Sequence, residues 1–253
     1  MSLFRALILG IIQGITEFLP ISSSGHLILI PHFLGWEKQS LIFDTALHLG
    51  TLLALFFVFC KKWLKMLKNK NYLILLIIGT LPAAIIGFLF EDFIKNKVRS
   101  PIVVSTTLLL VAILMFIAEK VGKKERGDDK LNLKDVLTIG FAQSLSLIPG
   151  VSRSGITITA GLFRDLKRDA AAEFSFLLGT PIIFGAGIFN IWELVRNPIT
   201  VREVQTFGVG IFTATIIGFL TIKYFLKFLK NHTLHPFIWY RIALSLTIAL
   251  FLL

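Results

Sequence analysis

A broken apolar segment occurs twice in this chain, once in each half. Each copy runs from a glutamine through a proline to a serine-rich stretch that ends in glycine, at residues 13–25 and 143–155. The first stretch reads Ser-Ser-Ser-Gly and the second reads Ser-Arg-Ser-Gly. Proline disfavours helix at the residue before it, and serine is a good residue to begin the next helix. Two broken helices in matching positions of two halves indicate a binding site buried in a membrane.

The remainder of the chain is too apolar for an ordinary soluble domain. Its mean hydropathy is +0.80, and 16% of its residues are charged, whereas soluble domains have about 25%. Six apolar runs approach the roughly 20 residues that cross a hydrocarbon core. They lie at 41–60, 72–90, 103–118, 174–194, 207–224 and 237–253. The sequence therefore predicts an all-α polytopic membrane protein with six transmembrane helices.

The two broken segments are predicted to be re-entrant helix-loop-helix hairpins, at about 3–34 and 135–163. A helix of about 12 residues after the break is near 18 Å long and does not cross a 30 Å core. Non-helical backbone survives at membrane depth only where protein or a wet cavity surrounds it. The two breaks are therefore expected to face each other, one entering from each side.

Further matches between the halves predict an inverted repeat. Residues 44–51 match 173–180, and residues 85–89 match 216–220, all at nearly the same offset. One hairpin and three spans in each half give an odd number of crossings, which turns the second half upside down. The predicted organisation is a first repeat at 1–121, a polar cytoplasmic linker at 122–134 and a second repeat at 135–253.

The net charge of +11 does not indicate a nucleic-acid partner, because the cations lie in the loops between spans. Most of them fall on the face that holds the linker. The loops of the opposite face hold Lys38, Lys95, Lys97, Arg99, Arg196 and Arg202. The positive-inside rule places the richer face in the cytoplasm, so both termini are predicted to lie outside.

Glu17 is an acid inside an apolar segment, one turn before the first break. A buried carboxylate costs several kcal/mol unless it is paired or bound to a metal. The alternative is an acid at a helix end that faces solvent. Gln13 lies one turn earlier on the same face. Together they offer oxygen ligands to a hard cation such as Mg²⁺ or Ca²⁺.

The helix after the first break begins with Ser22, Ser23, Ser24 and Gly25, followed by His26. Hydroxyls and free backbone N–H groups at a helix start form an anion site, whereas one serine would be enough to cap the helix. His26 can act as a general acid, a base or a nucleophile. The alternative is a hydrogen-bonded histidine in the core.

The second copy brings a cation. Arg153 carries a forked, permanently charged donor set that suits phosphate. Ser152, Ser154 and Gly155 add donors at another helix start, and Thr157 follows one turn later. The alternative is an arginine that snorkels to the interface, or that pairs with the acid of the first copy in the resting state.

Asp44 and His48 lie one helical turn apart at the start of the first span. They are interpreted as interfacial polar residues, with a supporting role at the site as the alternative.

One cation, two helix starts and oxygen ligands for a metal favour a polyanion as the ligand, and burial in the bilayer favours a lipid that carries it. A nearby carboxylate and hydroxyl suggest phosphoryl transfer to water. The competing class is a transporter or flippase, because inverted repeats and broken helices are typical of transporters.

At residues 13–26 (Gln-Gly-Ile-Thr-Glu-Phe-Leu-Pro-Ile-Ser-Ser-Ser-Gly-His) and 149–157 (Pro-Gly-Val-Ser-Arg-Ser-Gly-Ile-Thr), the chain resembles the undecaprenyl-diphosphate phosphatase, or bacitracin-resistance, family. The resemblance implies an enzyme of the bacterial inner membrane that hydrolyses undecaprenyl diphosphate to undecaprenyl phosphate and inorganic phosphate. This reaction recycles the lipid carrier for cell-wall synthesis. The resemblance also implies a divalent cation, Mg²⁺ or Ca²⁺, and a site towards the periplasmic side.

Carried over by motif position, the resemblance gives Glu17 as the essential carboxylate, Ser23 and His26 as catalytic groups, and Arg153 as the phosphate-binding arginine. The same pocket is lined by Ser22, Ser152, Ser154 and Thr157. The chain departs from the family at position 13, where Gln13 stands and other members have Glu. Whether Ser23, His26 or water is the nucleophile stays open, and so does a homodimer.

Overall fold

A computed structural model describes residues 1–68, 70–90, 100–196 and 200–252. Within these residues the chain forms eleven α-helices. The helices of the first half are α1 (Leu3–Thr16), α2 (Ser23–Phe33), α3 (Leu41–Val58), α4 (Cys60–Lys68), α5 (Lys70–Leu89) and α6 (Pro101–Val121). Those of the second half are α7 (Leu133–Ser144), α8 (Arg153–Phe163), α9 (Arg168–Arg196), α10 (Val201–Leu229) and α11 (His235–Leu252).

The prediction of an all-helical, multi-pass membrane protein is confirmed. Four of the described helices, α3, α5, α6 and α10, are long and apolar enough to cross a membrane. Helices α9 and α11 cover the other two predicted spans, although α9 begins six residues earlier than residue 174. The predicted loop cations Lys95, Lys97 and Arg99 lie outside the described residues.

Both predicted breaks are present. The four helices that flank them have 14, 11, 12 and 11 residues, so each is at most about 21 Å long. At each break one serine adopts a left-handed φ, 75° at Ser22 and 69° at Ser152, which is uncommon for a residue with a side chain. Each of these serines accepts a hydrogen bond from the backbone N–H of a glycine three residues later. The two copies therefore share one strained turn and one cap.

Packing between the halves is reciprocal. Helix α1 packs on α10, and the corresponding helix α7 packs on α5. Both contacts are close because glycine faces glycine. A Cβ on Gly10 would lie 2.9 Å from the Gly210 carbonyl oxygen, and a Cβ on Gly140 would lie 2.4 Å from that of Gly79. Each broken segment is thus held by a long helix of the other half, which brings the two breaks together.

Candidate active site

Glu17 lies directly after α1 and is 6% exposed, so it is not an acid that faces solvent. One carboxylate oxygen accepts a hydrogen bond from Arg153 Nη2 at 2.8 Å. The other accepts from Ser23 Oγ at 2.8 Å and from Gln13 Nε2 at 3.1 Å. These charge-assisted bonds offset the cost of burying the carboxylate. The pair of Glu17 and Arg153 matches the alternative given for Arg153, in which the arginine pairs with the acid of the first copy.

Ser23 and Arg153 occupy the same position in the two copies, the first residue of α2 and of α8. Both side chains bond Glu17, each at a different carboxylate oxygen. Arg153 Nη1 also donates to the backbone carbonyl of Ser175 on α9, at 3.1 Å. Among the described residues, two of the five guanidinium N–H groups have acceptors and the other three have none.

The other serines of the two helix starts are largely occupied by internal bonds. Ser22 and Ser152 act as the caps, so one serine is enough to cap each helix, as expected. Ser24 Oγ contacts Ser22 Oγ at 3.3 Å. Ser154 Oγ donates to the Leu19 carbonyl at 3.0 Å and so ties the second break to the first. A ligand at these hydroxyls would have to exchange one of these bonds.

Gly25 and Gly155 supply the N–H groups that the two caps bind. Thr157 lies one turn into α8, as predicted, and has no exposed surface. Its Oγ1 donates to the Arg153 carbonyl at 2.6 Å and contacts Ser175 Oγ at 2.6 Å. Thr157 therefore fixes the backbone of Arg153 against α9 and does not present a free hydroxyl.

His26 is buried, and both of its ring nitrogens are hydrogen-bonded. Nδ1 contacts the Ser22 carbonyl at 2.7 Å, and Nε2 contacts the hydroxyl of Tyr240 at 2.6 Å. A carbonyl only accepts, so Nδ1 donates, and Nε2 of the neutral ring accepts from Tyr240. The ring stacks on Tyr240 and makes no hydrogen bond to Glu17 or Ser23. This geometry matches the alternative of a hydrogen-bonded core histidine.

His48 contacts two residues of this group, as the alternative of a supporting role at the site expects. Its Nδ1 lies 2.9 Å from Gln13 Nε2 and 3.4 Å from a Glu17 oxygen. The signal in the sequence was its place one turn after Asp44 on an apolar helix. The contact itself depends on how α1 packs against α3, which local patterns do not give.

Arg241 was missed entirely within the last predicted span. It has no exposed surface, and it donates to main-chain carbonyls of both breaks and of α6. These are the carbonyls of Pro20, Thr107, Leu108, Gly150 and Val151. A charged residue in an apolar span was the available signal.

Two side chains in this group, Glu17 and Gln13, carry oxygen atoms that could bind a hard divalent cation. Gln13 Oε1 is buried and has no hydrogen-bond partner in the part of the chain that the structure describes, and it lies on the side chain that contacts Glu17. Among the described residues, no group of three or more His, Cys, Asp and Glu side chains could hold a metal. Mg²⁺ commonly takes one or two protein oxygens and completes its shell with water and substrate phosphate. Glu17 and Gln13 fit that mode.

A cavity of about 200 Å³ with a mixed polar and apolar lining lies beside His48. Ser24, Asp44 and His48 line it from the first half, and Ser146 and Pro149 line it from the second. His48 thus connects the cavity to Glu17. The cavity gives a polar head group a place beside both breaks.

The chain matches the family described as "Bacitracin resistance protein BacA" over residues 6–247. It is 47% identical over 251 residues to an undecaprenyl-diphosphatase of Thermodesulfovibrio yellowstonii, covering 98% of this chain and 96% of the relative. It is 45% identical over 258 residues to one of Elusimicrobium minutum, covering 98% and 97%. For one of Geotalea daltonii, the identity is 44% over 260 residues, covering 97% and 96%. The chain therefore belongs to the BacA family of bacitracin resistance proteins.

Proposed function

We propose that this protein is an undecaprenyl-diphosphatase, which hydrolyses undecaprenyl diphosphate to undecaprenyl phosphate and inorganic phosphate. The observation that carries the proposal is Glu17, which is shared between a serine hydroxyl from one break and Arg153 from the other. A carboxylate bonded to a hydroxyl is the arrangement of a base and its nucleophile. An adjacent arginine with free donors suits the phosphate that is attacked.

In the mechanism, the three free N–H groups of Arg153 bind the terminal phosphate. Ser23 Oγ attacks the phosphorus while its proton passes to Glu17, and the bond to the bridging oxygen breaks. Undecaprenyl phosphate leaves, and a phosphoserine remains. The proton on Glu17 passes to the leaving undecaprenyl phosphate, which restores the carboxylate. Water then attacks the phosphoserine and gives a proton to Glu17, which passes it to Ser23 Oγ as inorganic phosphate leaves. His26 holds the Ser22 carbonyl and so fixes the turn that aims Ser23.

We propose that Glu17 and Gln13 hold Mg²⁺ or Ca²⁺ together with the substrate. The ion would neutralise charge on the phosphate oxygens. Support comes from the unpartnered Gln13 Oε1. The metal requirement is tested by phosphate release after chelation and after readdition of each ion. Undiminished turnover in excess chelator would contradict it.

An apolar groove beside the first break suits the lipid part of the substrate. It has a volume of about 540 Å³ and is lined by residues of α1, α10 and α11. Ile15 and Leu19 of this lining flank Glu17 in sequence. A prenyl chain in the groove would leave its diphosphate beside the carboxylate.

The same proposal includes six transmembrane helices and two re-entrant hairpins in an inverted repeat, in the bacterial inner membrane. Support comes from the short helices at both breaks and from the reciprocal glycine contacts. We place both termini and the cavity on the periplasmic side, and the linker in the cytoplasm. In a Cys60→Ser background, a membrane-impermeant thiol reagent should label Ser2→Cys but not Lys123→Cys in intact cells. Labelling of the second variant alone would reverse the orientation.

The activity is tested with purified protein in detergent, which has no compartments. We expect phosphate release to fall at least about a thousandfold in Glu17→Ala and Arg153→Ala. The exposed residues Glu37 and Arg202 provide matched controls as Glu37→Ala and Arg202→Ala. Acid quenching with terminally labelled substrate should trap label on the wild type and none on Ser23→Ala. Absence of trapped label during slow turnover would indicate direct attack by water.

A lipid-phosphate flippase is the second candidate, favoured by the reciprocal packing of the two halves. It predicts transfer of undecaprenyl phosphate across vesicle membranes by the pure protein. Transfer without any phosphate release in detergent would overturn the phosphatase proposal.

A further inference from the structure

The Arg153 guanidinium contacts both Glu17 and the surface of α9. Its Nη1 donates to the Ser175 carbonyl at 3.1 Å, and its Nη2 donates to Glu17 at 2.8 Å. In an α-helix, the carbonyl of residue 175 points towards the N–H of residue 179. The guanidinium therefore lies flat against α9 at the level of Gly179.

There is no room for a side chain at that point. A Cβ on Gly179 would lie 2.0 Å from Arg153 Nη1, 2.4 Å from Cζ and 2.9 Å from Nε. All three distances are far below a van der Waals contact. The three nearest atoms all belong to the end of one flexible side chain, and none belongs to the backbone of a neighbouring helix. A methyl group at this position would displace Arg153 and leave the helices in place.

The corresponding glycine of the first half has a different role. A Cβ on Gly50 would lie 2.6 Å from the backbone carbonyl of Ile211, so Gly50 allows α3 and α10 to approach closely. The first half has Ser23 where the second has Arg153, and a serine does not extend to the next helix. The space left by the missing side chain of Gly179 is therefore occupied by the Arg153 guanidinium.

We propose that Gly179 is a positioning residue for phosphate binding, because its missing side chain lets the Arg153 guanidinium lie on α9 and reach Glu17. The inference rests on the proposed phosphatase function. Once displaced, Arg153 would lose its bond to Ser175 or to Glu17, and its free donors would no longer point to the phosphate. Misplacement of a binding group by about 1 Å can lower a rate about a hundredfold.

The test compares Gly179→Ala with Gly185→Ala in purified protein. Gly185 lies on the same helix, and a Cβ there has no atom within 4 Å. Both changes replace glycine by alanine within a helix and raise helix propensity equally. We expect kcat/KM for undecaprenyl diphosphate to fall about tenfold to a hundredfold in Gly179→Ala and to stay within twofold in Gly185→Ala. The unfolding temperatures of both variants should stay within a few degrees of the wild type.

A double-mutant cycle with Arg153→Ala separates positioning from packing. If Gly179 acts through Arg153, adding Gly179→Ala to Arg153→Ala should cause no further loss. Additive losses in the double variant would overturn the inference, and so would wild-type activity of Gly179→Ala. It would also be overturned if Gly179→Ala were already unfolded at the temperature of the assay. A wild-type protein that releases no phosphate would instead overturn the proposed function.

Discussion

Replacing Arg241 by methionine tests how the two breaks are held together at membrane depth. The guanidinium is fully buried and bonds five main-chain carbonyls. Two of these, on Thr107 and Leu108, lie inside α6 and keep their helical N–H partners without the arginine. The other three belong to Pro20, Gly150 and Val151, which are outside the helices.

The cost follows from those three carbonyls. Leaving a buried polar group without a partner costs about 1–3 kcal/mol. Methionine has a similar length and no donor, so three groups would lose their bonds at once. The lower limit is about 3 kcal/mol, and the unfolding temperature should therefore fall by about 6 °C or more for a chain of this size.

The assay is thermal unfolding of the pure protein in one detergent. Arg202→Met is the matched control, because Arg202 is exposed at the start of α10, and it should change the unfolding temperature by less than about 2 °C. Arg241→Lys keeps the charge and three donors, so it should be intermediate. If Arg241→Met unfolds within 2 °C of the wild type, the three carbonyls have other partners and the reasoning is refuted.

Three further predictions concern the start of α7, the second break and His26. Burial raises the pKa of Asp135, but hydrogen bonds from two arginines outweigh it and lower the pKa below its usual value. The stability that the ionised Asp135 gives to the folded protein is therefore present above about pH 4 and is lost as pH falls through the lower folded pKa. Asp135→Asn should therefore make the unfolding temperature less dependent on pH in the acid range. Gly150 has φ +89°, and a Cβ there would lie 2.1 Å from a threonine hydroxyl. Gly150→Ala should therefore lower the free energy of unfolding, measured by denaturation, by about 2 kcal/mol or more. The control Gly35→Ala, at φ +61° in open space, should lower it by about 1 kcal/mol. Tyr240→Phe removes only the donor to His26 Nε2, so phosphate release should fall less than about tenfold; a larger fall would indicate proton transfer through this pair.

Local chemistry explains what the sequence could predict. The breaks were predictable because proline, glycine and serine act on their immediate neighbours. The pairing of Glu17 with Arg153 was predictable because each charge, buried alone, would be costly. The contacts of His48, Tyr240 and Arg241 were not predictable, since they join residues far apart in the chain and depend on helix packing.

Span boundaries were less accurate for the same kind of reason. Hydropathy detects only the apolar part of a helix, so residues 174–194 were predicted where α9 extends over Arg168–Arg196. The six additional residues at its start include Arg168, Asp169 and Glu173, which lower the local hydropathy and still continue the helix. Helix α10 likewise extends beyond residues 207–224, with Thr200 and Glu203 forming its capping box.

One further difference between the two copies is the position of the acid, which gives the candidate site a single carboxylate. Glu17 follows Gln13 by four residues, whereas Leu147 follows Gln143 by four. Both glutamines are fully buried. Gln13 bonds Glu17, while the Gln143 amide has no partner among the described residues, as expected where the acid has been replaced by leucine. Two acids around one arginine would repel each other and compete for its donors. Because the acid is present in one half only, the candidate site is asymmetric between the two copies, which favours an enzyme over a transporter that exposes both sides alike.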